Sequence, residues 1–167
     1  MVIRPARPDD HAAVRAVNLA AFPTAGEADL VHALRANGDA LVELVAVQDE
    51  VVVGHILFTR LGLEGEDGSL AGAALAPVAV RPDLQRRGIG GALIGAGVEA
   101  CRDAGAVAVV VLGDPAYYPR HGFSAQAAGR LADPFRAGDA FMAMALCEGV
   151  LDRPLRPVYA EPFGIPA

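Results

Sequence analysis

The chain has 167 residues, of which 53% are apolar, and it carries a formal net charge of −6. This length suffices for one domain with a sizeable core. The acidic balance argues against a general nucleic-acid binder, which needs a basic face. No apolar run approaches the roughly 20 residues that cross a bilayer, so no membrane partner is expected.

The two cysteines, Cys101 and Cys147, are too few for a disulfide framework. The first residues, Met1 to Pro5, do not have the pattern of a secretory signal peptide. The expected location is therefore the cytoplasm, with both thiols reduced.

The first quarter of the chain predicts a short strand and two helices. Residues 2–4 are apolar enough for a strand, and apolar residues at helical spacing follow. The two helices are joined at residues 22–26, and the second one stops at Asn37-Gly38. Glu27 and Asp29 lie in its first turn, where the helix dipole favours carboxylates.

A β-hairpin is predicted next, from strands at residues 41–47 and 51–60. Gly54-His55 interrupts the second strand and marks a candidate bulge. His55 either faces a cleft or has the structural role that is more usual for a histidine in a strand. Residues 62–68 are acidic and rich in glycine, which predicts a solvated loop.

Residues 71–80 are apolar on both faces, which is typical of a central strand. Pro77 conflicts with that position, because proline donates no hydrogen bond to a sheet ladder. The conflict is resolved if the ladder breaks at this residue.

This strand runs into a charged turn, then into Gly88-Ile89-Gly90 and a helix that extends to about Ala104. The first N–H groups of a helix have no acceptor inside it, and the helix dipole adds positive charge. The turn is therefore a predicted anion site, best suited to phosphate. A P-loop would need a lysine, which the chain lacks, and a dinucleotide fingerprint would need a glycine at Leu93.

The rest of the chain predicts a buried parallel strand at residues 106–112 and two final strands at residues 123–127 and 140–147. The segment between them begins Gly113-Asp114-Pro115-Ala116-Tyr117-Tyr118 and ends at Gly122-Phe123. Residues 148–167 are rich in proline but also apolar. We expect this C-terminal arm to pack in extended form on the domain formed by residues 1–147.

Two of these motifs resemble the GCN5-related N-acetyltransferase (GNAT) superfamily. Gln85-Arg86-Arg87-Gly88-Ile89-Gly90 is similar to its acyl-CoA pyrophosphate loop, Gln/Arg-x-x-Gly-x-Gly/Ala. Tyr118 stands four residues before Gly122-Phe123, where the superfamily commonly has a tyrosine, and residues 112–118 resemble the YhbS-like branch of predicted acetyltransferases. The resemblance covers residues 2–147. It implies an α/β fold with a mixed, mostly antiparallel sheet, two splayed parallel strands and flanking helices.

The resemblance also implies a reaction. An acetyl group would pass from acetyl-CoA, with no metal, to a primary amine of a small molecule or a protein, by direct attack in a ternary complex. The expected cofactor contacts lie on the splayed strand, on the loop and at the tyrosine: Val78, Ala79, Val80, Gln85, Arg86, Arg87, Gly88, Ile89, Gly90, Gly91, Ala92 and Tyr118.

Four residues are candidates for the chemistry. The resemblance places the N–H of Val78 at the thioester oxygen, where negative charge develops. Tyr118 is the candidate general acid, since a phenol pKa of about 10 is not far above a thiol pKa of about 8.5. The general base is open between Glu27, His55 and an ordered water.

Three other hypotheses stay open. The same fold could transfer a longer acyl group, or it could bind acyl-CoA without catalysis as a sensor or scaffold. An unrelated nucleotide-binding protein would prefer ATP or NAD. The acceptor amine is not identified by any motif, and the apolar arm suggests a homodimer as one possible assembly.

Overall fold

The computed structural model describes residues 1–166 and has seven strands and three α-helices in that range. The strands are β1 Val2–Pro5, β2 Ala40–Gln48, β3 Val51–Gly65, β4 Gly68–Val80, β5 Ala108–Leu112, β6 Phe141–Ala145 and β7 Arg156–Val158. The helices are α1 His11–Ala21, α2 Gly26–Ala36 and α3 Ile89–Asp103.

The strands form one sheet in the order β1-β2-β3-β4-β5-β6. Every neighbouring pair is antiparallel except β4 and β5, which are parallel and are connected through α3. A parallel pair needs such a crossover, because its two strands start at the same end of the sheet. The predicted fold class, a mixed and mostly antiparallel sheet with flanking helices, is confirmed.

Two predicted loop and strand boundaries are wrong. Residues 62–68 are not a loop, because β3 and β4 continue to a tight turn at Glu66-Asp67, with Leu61 and Leu63 buried on one face. Residues 123–127 are not a strand, since they pair with the sheet only through a single bridge from Ser124 to Ala143.

β7 was not predicted. β2 pairs with β3 only as far as Thr59, and β7 occupies the next stretch of the same edge, opposite residues 62–64. Pro157 is tolerated there because β7 is a short strand at the edge of the sheet. The C-terminal arm is thus hydrogen-bonded to the sheet of its own chain.

Helices cover both faces of the sheet. α3 packs on one face through Leu93, Ile94 and Val98, in a cluster with Phe58. α1 and α2 pack on the other face through residues such as Val14 and Leu34. Within residues 1–166, none of the helices combines the length and the apolar character that crossing a membrane requires.

Candidate active site

The two parallel strands separate where the sequence predicts a break. β4 pairs with β5 only through residues 73–75, opposite Val109, Val110 and Val111. β4 then continues for five more residues without β5 beside it, and Pro77 is the second of them. The result is a gap between the ends of the two strands, open along one edge of β4.

A bulge in β4 determines which groups face this gap. Ile56 pairs with Val78, but Phe58 pairs with Leu75, so β4 has one extra residue between them. Such a residue reverses the alternation of the strand. Ala73 and Leu75 contact the α3 side of the core before the bulge, whereas Val78 and Val80 do so after it.

The hydrogen-bond register directs the Val78 amide into the gap. Arg81 N–H donates to the Val53 carbonyl at 2.9 Å, so these two residues are a hydrogen-bonded pair of the antiparallel ladder. Such pairs alternate with non-hydrogen-bonded ones. His55 and Ala79 are therefore bonded to each other, and the N–H groups of Val78 and Val80 point away from β3. The structure offers these two residues to a ligand in the gap, but not Ala79, whose side chain is buried on the opposite face.

The loop that the sequence predicts as an anion site leads into the start of α3, as expected. Its first intrahelical bond runs from Ala92 N–H to Gly88 O, at 3.0 Å, which leaves the N–H groups of Ile89, Gly90 and Gly91 without an acceptor in the helix. Arg86 and Gly88 have φ values of 62° and 85°, so the loop turns sharply before the helix begins. Gln85 ties it to β4 by donating from Nε2 to the Val80 carbonyl at 3.1 Å.

The loop is closely covered on one side. A Cβ atom on Gly90 would lie 2.9 Å from the Tyr117 hydroxyl, and one on Gly91 would lie 2.8 Å from His121 Cε1. His121 Nε2 is buried and has no hydrogen-bond partner within residues 1–166. Arg86 and Arg87 are exposed at the rim, where their charge suits an anion. Small residues and free N–H groups thus fit a diphosphate.

A cavity of about 300 Å³ adjoins the gap between β4 and β5. Its walls come from the α1–α2 region, the two strand ends, the Tyr118 turn and the C-terminal arm. The lining residues are Phe22, Glu27, Leu30, Ala74, Leu75, Ala76, Pro77, Val78, Val110, Val111, Leu112, Tyr118, Phe135, Tyr159 and Phe163. The structure therefore brings three of the four candidates for the chemistry, Val78, Tyr118 and Glu27, to one cavity.

Tyr118 is held rigidly at this cavity. Its ring lies edge-on to Tyr117 and Phe123, with centroids 5.1 Å and 5.9 Å away, and packs against Gly113, where a Cβ atom would overlap it. Burial raises the pKa of Tyr118 to about 12, because the phenolate would lose hydration. The hydroxyl therefore stays protonated throughout the physiological pH range.

Glu27 brings a carboxylate to an otherwise apolar wall. It is the second residue of α2, and its Oε2 is buried without a hydrogen-bond partner in the described part of the chain. Asp29, in the same turn, is instead exposed and paired with Arg15 at 2.9 Å. The two carboxylates that looked equivalent in the sequence thus have different surroundings.

His55 does not reach the cavity, and the structure gives no support for its role as a base. Its side chain is fully buried under α1, where it accepts from Asn18 Nδ2 at 3.1 Å and donates from Nε2 to Glu43 at 2.8 Å. Arg35 donates to the same carboxylate from α2, its Nε being 3.0 Å from both oxygens. Both imidazole nitrogens are used, so His55 is a structural link between α1 and β2.

The aromatic wall of the cavity was not predicted. This wall is formed by three rings from segments with little regular structure, Phe135, Tyr159 and Phe163. The Tyr159 ring lies between the other two, with its centroid 5.3 Å from that of Phe135 and 5.2 Å from that of Phe163. Composition was the one sequence feature that could have indicated this wall. Aromatic residues in stretches rich in proline and glycine, which form little regular structure, are expected to pack against another part of the chain.

Two features together are typical of one class of protein, the acetyltransferases: the parallel strands β4 and β5 separate at their ends, and a glycine-rich loop leads into the helix that follows β4. The chain belongs to the acetyltransferase (GNAT) family, whose model matches residues 11–123. This confirms the resemblance that the two sequence motifs suggested.

Individual relatives agree with this assignment. The chain is 45% identical over 116 residues to YjhQ of Escherichia coli K12, an uncharacterised N-acetyltransferase, and the match covers 68% of this chain and 64% of YjhQ. It is 38% identical over 124 residues to the uncharacterised N-acetyltransferase YhbS of the same organism, covering 74% of this chain and 73% of YhbS.

Two crystal structures are similar over nearly the whole chain. E. coli YhbS in complex with CoA has a TM-score of 0.88 at 32% identity, covering 98% of this chain and 91% of that one. A GNAT family acetyltransferase from Brucella melitensis in complex with acetyl-CoA has a TM-score of 0.80 at 34% identity, covering 97% of both chains.

Proposed function

We propose that this chain is an N-acetyltransferase that transfers the acetyl group of acetyl-CoA to a primary amine. The observation that carries the proposal is the Val78 N–H, which points into the gap between β4 and β5, next to a loop of free N–H groups that suits a diphosphate. The relatives crystallised with CoA and acetyl-CoA support the same cosubstrate. The cytoplasmic location and the homodimer remain predictions from the sequence.

In this proposal the loop from Gln85 to Ala92 binds the diphosphate through its backbone, and Val80 contacts the pantetheine arm. When bound, acetyl-CoA supplies an acetyl group activated as a thioester. The amine attacks the carbonyl carbon, and the Val78 N–H stabilises the negative charge that develops on its oxygen. Glu27 holds the incoming ammonium and accepts the proton that must leave before attack.

Tyr118 gives a proton to the sulfur as the C–S bond breaks. The nitrogen loses its second proton at this stage, and relay of that proton through solvent restores the Tyr118 hydroxyl. Its pKa of about 12 does not prevent this step. A thiol in this largely apolar cavity should also have a pKa above its usual value of about 8.5, since both acids lose hydration when they ionise. Because the two pKa shifts have the same direction, they partly cancel in the cost of the proton transfer.

Ligand-induced stabilisation tests the cosubstrate. Acetyl-CoA or CoA at about 100 times its Kd should stabilise the fold by roughly 2.7 kcal/mol, a clear rise in melting temperature, whereas ATP and NAD should have little effect. Release of CoA when an amine is added then distinguishes an enzyme from an acyl-CoA sensor. Equal stabilisation by ATP or NAD, or none by either CoA species, would contradict the proposal.

A further inference from the structure

The cavity beside Glu27 is lined almost entirely by aromatic and aliphatic side chains. Five of the nine aromatic residues in the chain line it: Phe22, Tyr118, Phe135, Tyr159 and Phe163. The remaining lining residues are aliphatic, apart from Glu27. Among the lining residues within 1–166, Glu27 is thus the one with a charged side chain.

The unpaired Glu27 oxygen indicates what is missing from this wall. A carboxylate oxygen buried without a hydrogen bond is costly, and the cost is removed when a cation with N–H donors comes beside it. An ammonium group is such a cation. The rings around it can add stacking with an apolar group and attraction for the positive charge.

The volume limits the size of the occupant. A cavity of about 300 Å³ is at the lower end of the usual 300–1,000 Å³ for small-molecule sites. The acceptor must share this space with the acetyl group, since Val78 and Tyr118 line the same cavity. What remains suits a body about as large as one ring.

We propose that the acceptor is a small primary amine with an apolar, ring-sized body and no second charged group. This inference rests on the proposed acetyl transfer and specifies its acceptor. A polyamine or an aminoglycoside would bring additional charges or hydroxyl groups to a wall of Phe135, Tyr159 and Phe163, which offers them little compensation. A peptide lysine would have to insert its side chain while its backbone stayed outside.

Matched acceptors test the substrate class. With acetyl-CoA saturating, kcat/KM for 2-phenylethylamine should exceed that for phenylalanine by at least about 100-fold, because phenylalanine has the same ring and amine but adds a carboxylate that must be buried near Glu27. 2-Phenylethylamine should also be preferred over spermidine, kanamycin and a lysine-containing peptide.

A binding measurement without chemistry tests Glu27 itself. In the presence of CoA, Glu27→Gln should weaken binding of 2-phenylethylamine by about 10- to 100-fold and leave the affinity for CoA unchanged. Asp29→Asn is the matched control, since this carboxylate lies in the same turn but is exposed and paired with Arg15. It should leave both affinities unchanged.

The outcomes separate the two proposals. If acetyl-CoA stabilises the protein but 2-phenylethylamine is used no better than phenylalanine, or less well than spermidine, kanamycin or the peptide, the substrate class is overturned and acetyl transfer stands. Unchanged amine binding in Glu27→Gln also overturns it. If acetyl-CoA does not bind at all, the proposed function fails, and the acceptor inference fails with it.

Discussion

The surroundings of Tyr118 suit its hydroxyl to the role of a proton donor. Its ring is fixed between Tyr117, Phe123 and Gly113, and burial raises its pKa to about 12. A phenol that is rigid and fully protonated is well placed to donate a proton at a constant position. The same burial keeps the phenolate form scarce at neutral pH, which is why the proposed mechanism assigns deprotonation of the amine to Glu27.

Replacing this hydroxyl should separate turnover from binding. We expect Tyr118→Phe to lower kcat by about 100-fold or more, the usual contribution of a general acid, without changing the Kd for acetyl-CoA or the melting temperature. Because the pKa is about 12, kcat of the unchanged enzyme should also show no alkaline decline up to pH 10. Steady-state kinetics and ligand titration check both points. A variant with normal kcat would remove Tyr118 from the mechanism.

The sequence could predict some of these residues and not others, for a reason of geometry. Tyr118 and Gly88 belong to local motifs, whose spacing is independent of the rest of the fold. Whether His55 faces the cavity depends on the face of β3 that it occupies, and whether Ala79 can bind a ligand depends on the register of β4. A bulge changes that register by one residue, and its exact position cannot be read from the pattern of apolar residues.

Helix α3 shows how closely an element can approach the sheet when a small residue permits it. A Cβ atom on Gly97 would lie 2.2 Å from Phe58 Cε2, in the fully buried centre of the α3 interface, and would force the helix outwards. Gly95, two residues earlier, faces open space and is exposed. The two glycines therefore differ in function although both lie inside one helix.

Two alanine substitutions should thus have opposite effects. Gly97→Ala should destabilise the fold by about 1–3 kcal/mol through overpacking. Gly95→Ala should leave it unchanged or stabilise it by up to about 1 kcal/mol, because alanine has the higher helix propensity and meets no neighbour. Urea unfolding of the three proteins measures both changes. Equal effects of the two substitutions would show that α3 does not pack closely against Phe58 at Gly97.

The sequence predicted the elements that have a sustained pattern of apolar residues, either periodic or continuous, and missed those that are defined by their partners in the sheet. The three helices and strands β2 to β5 have patterns of apolar residues that are long enough to be recognised in the sequence. β7 is three residues long and contains Pro157, so only its position beside β3 makes it a strand. Residues 123–127 have strand-like composition, but Ser124 alone finds a partner in the sheet.

The stability of the whole molecule depends on pH in part through the buried network of Glu43, His55 and Arg35. Burial raises the pKa of Glu43, but hydrogen bonds from His55 and Arg35 outweigh it and lower the pKa to about 2. Burial lowers the pKa of His55, against the opposing effect of Glu43. In both cases the unfolded chain binds protons at a higher pH than the folded one, so stability decreases as pH falls.

Acid should therefore weaken the fold in two steps. The first begins near pH 6.5, where His55 becomes protonated in the unfolded chain but not in the folded one. The second lies between about pH 4.5 and pH 2, where Glu43 becomes protonated in the unfolded chain before it does in the folded one. Urea midpoints at pH 7.5, 5.5 and 3.5 measure both. His55→Gln should flatten the first step, while His32→Gln, at an exposed position, should not. A midpoint independent of pH between 7.5 and 5.5 would contradict the assignment.

The position of β7 has a consequence for how an acceptor enters. The arm supplies Tyr159 and Phe163 to the cavity wall, and β7 covers the edge of β3 at residues 62–64, with Arg156 paired to Glu64. If the arm came away as a lid, it would expose unpaired strand groups that can recruit a second chain and begin aggregation. If the arm instead stays in place during turnover, that edge remains covered in every catalytic cycle. The entrance to the cavity, rather than a moving segment, would then determine which amines can react.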